Sequence, residues 1–121
     1  MKLSPAEIEA RLAEVRRSYI SSLRDKRDAI ETQWSRLSTQ WDAEAYQSLY
    51  LIIHTLAGSA ETFGLANISQ EARILVDQFK QHAEQHPLET DLITSFSRDI
   101  ELLVSCMTTA LAELDTQKLK S

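Results

Sequence analysis

Glycine and proline are scarce in this chain, with two of each among 121 residues. Both residue types interrupt helices, so their scarcity, beside 43% hydrophobic residues, favours an all-helical protein. Cysteine is rarer still. The single Cys106 excludes an internal disulfide framework and is typical of a reducing compartment. Its helical spacing from Leu102, Leu103 and Ala110 predicts a place in the core rather than a reactive thiol.

Long apolar runs and an excess of positive charge are also missing. The longest apolar stretches are only a few residues long, which predicts no signal peptide and no membrane span. A net charge of −5 argues against a protein dedicated to nucleic acids or anionic membranes. No glycine-rich phosphate cradle is present, so we expect no autonomous kinase activity. The composition fits a single cytoplasmic domain over residues 1–121, large enough to bury its own core.

Helix signals at the beginning of the chain predict two helices. Ser4 followed by Pro5, with Glu7 three positions after the serine, is a typical N-terminal cap. The first helix is expected over about residues 5–23. The charged run Arg24-Asp25-Lys26 predicts a bend or a break before a second helix, with Asp25 as its candidate cap.

Later signals predict three more helices. Asp42 caps a third helix over about residues 43–62, which Gly64 ends. A fourth covers about 67–84, and a last one, opened near Pro87, covers about 88–117. Loops this short predict antiparallel neighbours. We therefore expect an up-down four-helix bundle over about residues 25–117, with an additional N-terminal helix.

A glycine inside the third helix is the most informative feature. Gly58 costs about 1 kcal/mol there relative to alanine, and it lies four residues after His54. Residues four apart share a helical face, so this glycine leaves open space beside the histidine. At about 100° per residue, His54 points about 150° away from the apolar arc and therefore toward solvent. That arc comprises Leu49, Ile52, Ile53, Leu56, Ala60 and Phe63.

The outward face is predicted to be a docking surface. His54 shares it with Gln47, Leu51, Gly58 and Glu61, and an exposed leucine beside a histidine suits a surface that another protein covers. The alternative, a surface histidine beside an accidental glycine, is disfavoured because glycine is so rare in this chain.

The sequence does not contain the residue patterns that metal binding or nucleophilic hydrolysis would require. His82 and His86 have no ligand set at metal-binding spacing, and Ser59 points away from His54 toward the core.

The string His54-Thr-Leu-Ala-Gly-Ser-Ala60, followed by Phe63-Gly64, resembles the signature of histidine-containing phosphotransfer (HPt) domains. The resemblance extends over about residues 19–115. It implies a small helical bundle that accepts a phosphoryl group on His54 from a receiver-domain phosphoaspartate and passes it to another receiver. Partners would be receiver domains of response regulators or hybrid histidine kinases. The domain itself would be a monomer. It would need no cofactor of its own, because the receiver brings Mg²⁺ and a lysine.

Two positions depart from the family pattern. The usual lysine is replaced by Ala57, and the residue that orients the histidine, usually Gln or Glu, corresponds to Val76. Orientation would then fall to the backbone carbonyl of Tyr50 or to water. Lys80, on the following helix, is the candidate that supplies the missing cation. Two other hypotheses stay open: a degenerate HPt fold that binds partners without phosphotransfer, and an unrelated helical bundle that binds a metal or a partner helix.

Overall fold

The computed structural model describes residues 2–82 and 89–120, with the backbone alone over 115–120. Four α-helices make up this part of the chain, and the described residues form no strand. The helices are Pro5–Thr39 (α1), Ala43–Thr62 (α2), Ala66–Gln81 (α3) and Thr90–Lys120 (α4). The prediction of an all-helical protein is confirmed.

α1 is one continuous helix, so the predicted break at Arg24-Asp25-Lys26 is wrong. The expected additional helix over 5–23 is the first half of a 35-residue helix, about 52 Å long at 1.5 Å per residue. Arginine and lysine are good helix formers, and a run without glycine or proline has no reason to leave the helix. The N-terminal cap is as predicted: the Ser4 hydroxyl accepts a hydrogen bond from the Glu7 N–H at 3.2 Å.

The two ends of α1 have different surroundings. Ile8, Leu12 and Val15 continue the apolar stripe of the helix, yet all three are exposed. Tyr19 and Leu23, on the same stripe, are buried in the core. The apolar stripe of α1 is therefore buried only from Tyr19 onward.

The core forms where α2 packs on α1 and α3, and α4 packs on the same two helices. Two side chains tie these layers together. The Tyr46 hydroxyl donates to the carbonyl of Phe79 at 2.7 Å, and the Trp34 indole N–H donates to the Ser97 hydroxyl at 3.1 Å. Burial raises the pKa of Tyr46 to about 12, which keeps its hydroxyl a donor. Fully buried large side chains are Leu23, Ile30, Leu49, Ile53, Leu56, Ile68, Leu75, Phe79, Phe96, Leu103 and Met107.

The remaining helix boundaries are close to their predictions. Asp42 caps α2 by accepting from the Ala45 N–H at 3.1 Å, as expected. α3 ends three residues earlier than predicted, and α4 begins two residues later; Pro87 lies outside the described residues. Within the part of the chain that the structure describes, no helix combines the length and apolar character that crossing a bilayer requires.

Candidate functional site

The two faces of α2 differ sharply. Leu49, Ile53, Leu56 and Ala60 are completely buried, and His54 is exposed on the opposite side. Two members of the predicted apolar arc are less buried than expected. Ile52 is only partly buried, and Phe63 is 42% exposed although its ring stacks on Tyr19 at a centroid distance of 3.8 Å.

The surface beside His54 is open. A Cβ added at Gly58 would have no atom within 4 Å, so the glycine leaves an uncovered patch one turn after the histidine. Leu51 is 60% exposed although it lies one turn before His54 on a helix with a well-filled core. Gln47 and Glu61, which were predicted to share this face, are exposed too. An apolar side chain and bare backbone beside an accessible imidazole are features of a surface that another protein can cover.

The end of α2 is fixed by the second glycine. Gly64 has φ +75°, a conformation that glycine adopts without strain. Its N–H donates to the Glu61 carbonyl at 3.1 Å, and the Leu65 N–H donates to the Ala60 carbonyl at 2.8 Å. These two bonds form a Schellman motif, which ends α2 at Thr62, eight residues after His54, and turns the chain into α3.

Tyr50 is the aromatic neighbour of the histidine. The centroids of the Tyr50 and His54 rings are 5.8 Å apart, and the ring planes are tilted by 42°. Tyr50 lies one turn before His54. Because helical side chains lean toward the N-terminus of their helix, the His54 ring leans toward Tyr50. Its ring is also 6.3 Å from Phe79 of α3, which is fully buried. Orientation of the imidazole by the Tyr50 carbonyl or by water stays a prediction; the contact that the structure shows is between the two rings.

Arg73 and Lys80 are exposed cations of α3, the helix that packs along the seam with α2. Arg73 forms an ion pair with Glu61, and both side chains remain largely exposed. Lys80 is exposed as well and directly follows Phe79, the residue that contacts Tyr46 and Tyr50 of α2. Arg73 lies twelve positions after Glu61, on a different helix. A helical wheel of α2 therefore could not predict this ion pair.

The two positions that depart from the family pattern lie inside this seam. Ala57 and Val76 are each only 7% exposed. The buried Ser69 hydroxyl donates to the Ala57 carbonyl at 3.0 Å. An alanine at position 57 therefore belongs to the packing between α2 and α3, and Val76 offers no hydrogen-bonding group to the imidazole.

The remaining candidates do not form a second site. His82 ends α3 and lies edge-on to Phe96, with 6.1 Å between ring centroids; His86 lies outside the described residues. Cys106 is partly buried against the core. No group of three or more His, Cys, Asp or Glu side chains suited to a metal ion occurs in residues 2–82 and 89–120.

These features indicate a class of small helical domains in which one helix exposes a histidine. The histidine lies beside a glycine and on the side of its helix opposite the core. The family model of the Hpt domain matches residues 14–117. The chain belongs to the histidine-containing phosphotransfer family, as its motif predicted, and membership supports a phosphotransfer-type role in two-component signalling. No curated protein and no solved structure matches the chain.

Proposed function

We propose that this protein is a phosphorelay intermediate that carries a phosphoryl group on His54. The observation that supports the proposal most directly is the exposed imidazole beside the open patch at Gly58. The helical fold and family membership provide its context. Phosphoryl transfer depends mainly on positioning and charge stabilisation, so an accessible ring nitrogen on a rigid helix is what the acceptor must contribute.

The proposed reaction begins with a neutral imidazole. A ring nitrogen of His54 donates its lone pair to the phosphorus of a receiver phosphoaspartate, and a P–N bond forms. The P–O bond to the aspartate breaks, and its electron pair returns to the carboxylate. The phosphorylated ring is an imidazolium until its other N–H proton leaves to solvent. Transfer to a second receiver aspartate reverses these steps. Mg²⁺ and a lysine would come from the receiver.

The docking surface we propose comprises Gln47, Leu51, Gly58 and Glu61 around His54. Leu51 provides apolar area that a receiver would cover, and Gly58 lets the partner backbone approach. Lys80 is proposed to stabilise the phosphoryl charge. The partners would be receiver domains of response regulators or hybrid kinases, in the cytoplasm where such receivers act. We propose that the protein itself works as a monomer.

An up-down order of the helices is part of the same proposal. Hydrogen bonds join Ala57 of α2 with Ser69 of α3, and Tyr46 with Phe79. The earlier residue of α2 thus meets the later residue of α3, as it does in an antiparallel pair. In this arrangement Lys80 leans along α3 in the direction of His54, because helical side chains point toward the N-terminus of their helix.

A binding module without phosphotransfer is the second candidate. Buried Ala57 and Val76, where the family usually has polar groups, are the observation that favours it. The test is incubation of the protein with phosphorylated receivers, followed by detection of phosphohistidine. Phosphotransfer predicts an acid-labile, alkali-stable adduct that the His54→Gln variant does not form. Receiver binding with no such adduct on the wild type would establish the module instead.

A further inference from the structure

An acceptor histidine must keep one ring nitrogen turned toward its partner. Imidazole on an exposed helix face rotates among several rotamers, and only some of them aim the nitrogen outward. Val76, at the position where the family usually has an orienting amide or carboxyl group, is buried and apolar. The Tyr50 carbonyl lies inside the helical segment of α2, where carbonyls accept from the N–H four residues on. Neither position supplies a group dedicated to orienting the ring, so a neighbouring side chain can take this role.

The Tyr50 ring has the position that this role needs. It contacts the His54 ring at 5.8 Å with a 42° tilt. On the helix, Tyr50 and Gly58 lie four residues before and four after His54, about 40° to either side of it. One neighbour is thus a large flat ring and the other is bare backbone. The imidazole is bounded on the Tyr50 side and open on the Gly58 side, where a partner would approach.

Tyr50 is itself held by the core. Its ring lies 6.3 Å from Phe79, which is completely buried. Phe79 in turn contacts Tyr46 at 4.8 Å and Phe96 at 4.9 Å. Tyr50 is only partly buried, but its ring belongs to an aromatic cluster that includes residues of α2, α3 and α4. A ring anchored in this way can restrict a neighbouring side chain, whereas a free surface tyrosine could not.

We infer that Tyr50 is a positioning residue for His54, which limits the imidazole to rotamers that present a ring nitrogen on the Gly58 side. This inference rests on the proposed phosphoacceptor role of His54. A second effect of the Tyr50 ring would also favour phosphoryl transfer. The phosphorylated ring is transiently an imidazolium, and an aromatic face within about 6 Å attracts a cation. The tyrosine hydroxyl is not required, because both effects come from the ring.

The inference is tested by two measurements, each made on the wild type and on the variants Tyr50→Phe, Tyr50→Leu and Tyr50→Met. Single-turnover transfer from a phosphorylated receiver, over a range of receiver concentrations, separates the maximal rate from half-saturation. We expect Leu and Met to lower the maximal rate about three- to tenfold without changing half-saturation, and Phe to retain it. Three-bond scalar couplings of the His54 side chain should show one dominant rotamer in the wild type and Tyr50→Phe, and averaged rotamers in the other two.

Phe63→Leu is the matched control. It also removes a partly exposed aromatic ring near the end of α2, but that ring stacks on Tyr19 rather than on His54. Its rate and His54 couplings should equal those of the wild type. Wild-type rates in Tyr50→Leu and Tyr50→Met, or a Tyr50→Phe variant as slow as they are, would overturn the inference.

The couplings separate this inference from the proposed function. A wild-type protein that accepts no phosphoryl group would refute the proposed function. Averaged His54 rotamers in the wild-type protein, with or without phosphotransfer, would refute the positioning role of Tyr50.

Discussion

The two faces of α2 are made from neighbouring residues but obey different constraints. Ile53 is completely buried, and the next residue, His54, is exposed. On the inner face every side chain fills space, so size and shape decide what is tolerated. On the outer face Gly58 leaves space unfilled and Leu51 leaves apolar area uncovered. A helix can therefore provide stability with one face and access with the other, and substitutions should separate the two.

The largest expected effect is at His54. His54→Gln should abolish phosphohistidine formation, because the amide has no nucleophilic ring nitrogen, while the melting temperature stays close to that of the wild type. The measurement is labelling by a phosphorylated receiver, followed by a test of whether the label is lost in acid. His82→Gln is the matched control and should label normally, since His82 lies at the end of α3 against Phe96. Persistent labelling of His54→Gln would remove this residue from its proposed role.

The next effect should appear at Gly58, and its sign depends on what is measured. Gly58→Ala should raise the free energy of unfolding by up to about 1 kcal/mol, because alanine favours the helix and a Cβ has open space there. Gly58→Gln should slow transfer strongly, since a long side chain covers the approach to His54. Thermal unfolding and single-turnover rates measure the two consequences. A native transfer rate in Gly58→Gln would mean that the open patch has no role in access.

The pair Ile53→Ala and Leu51→Ala contrasts the two faces directly. Ile53→Ala should cost about 2–5 kcal/mol of stability, since it leaves a cavity in a filled core. Leu51→Ala should change stability by less than about 0.5 kcal/mol but weaken receiver binding. Denaturant unfolding and receiver titration are the measurements. A Leu51→Ala variant that binds as well as the wild type would exclude Leu51 from the docking surface.

The sequence was sufficient to separate exposed His54 from the buried residues Ile53 and Leu56, because helical periodicity relates residues within one element. It placed Ile52 and Phe63 too deep, because their burial depends on how far the neighbouring helices reach. The cap at Asp42 and the stop at Gly64 were readable for a similar reason: their hydrogen bonds connect residues only a few positions apart. The continuity of α1 was misjudged, since a charged run resembles a helix boundary but contains nothing that ends a helix. Ion-pair partners on a neighbouring helix, such as Arg73 for Glu61, depend on how helices pack and had no signal in the sequence.

The smallest effect is expected from the two cations of α3. Lys80 follows Phe79, which bonds to Tyr46, and Arg73 reaches Glu61; the two contacts on α2 thus lie on opposite sides of His54 along the helix. In the arrangement proposed above, Lys80 is the cation directed toward His54, whereas Arg73 is engaged with the Glu61 carboxylate. Lys80→Ala should therefore slow transfer or shorten the lifetime of phospho-His54 by a factor equivalent to about 1 kcal/mol.

Salt provides the internal check on that prediction. A contact between exposed charges weakens as ionic strength rises, so the difference between Lys80→Ala and the wild type should shrink from low to high salt. Arg73→Ala, the matched loss of one positive charge on the same helix, should leave the lifetime of phospho-His54 unchanged. Lifetimes of the isolated phosphoprotein at two ionic strengths measure both variants without the receiver. If Arg73→Ala shortened the lifetime and Lys80→Ala did not, the cation beside the phosphoryl group would be Arg73, released from Glu61. Equal lifetimes in all three proteins would mean that the positive charge comes from the receiver alone.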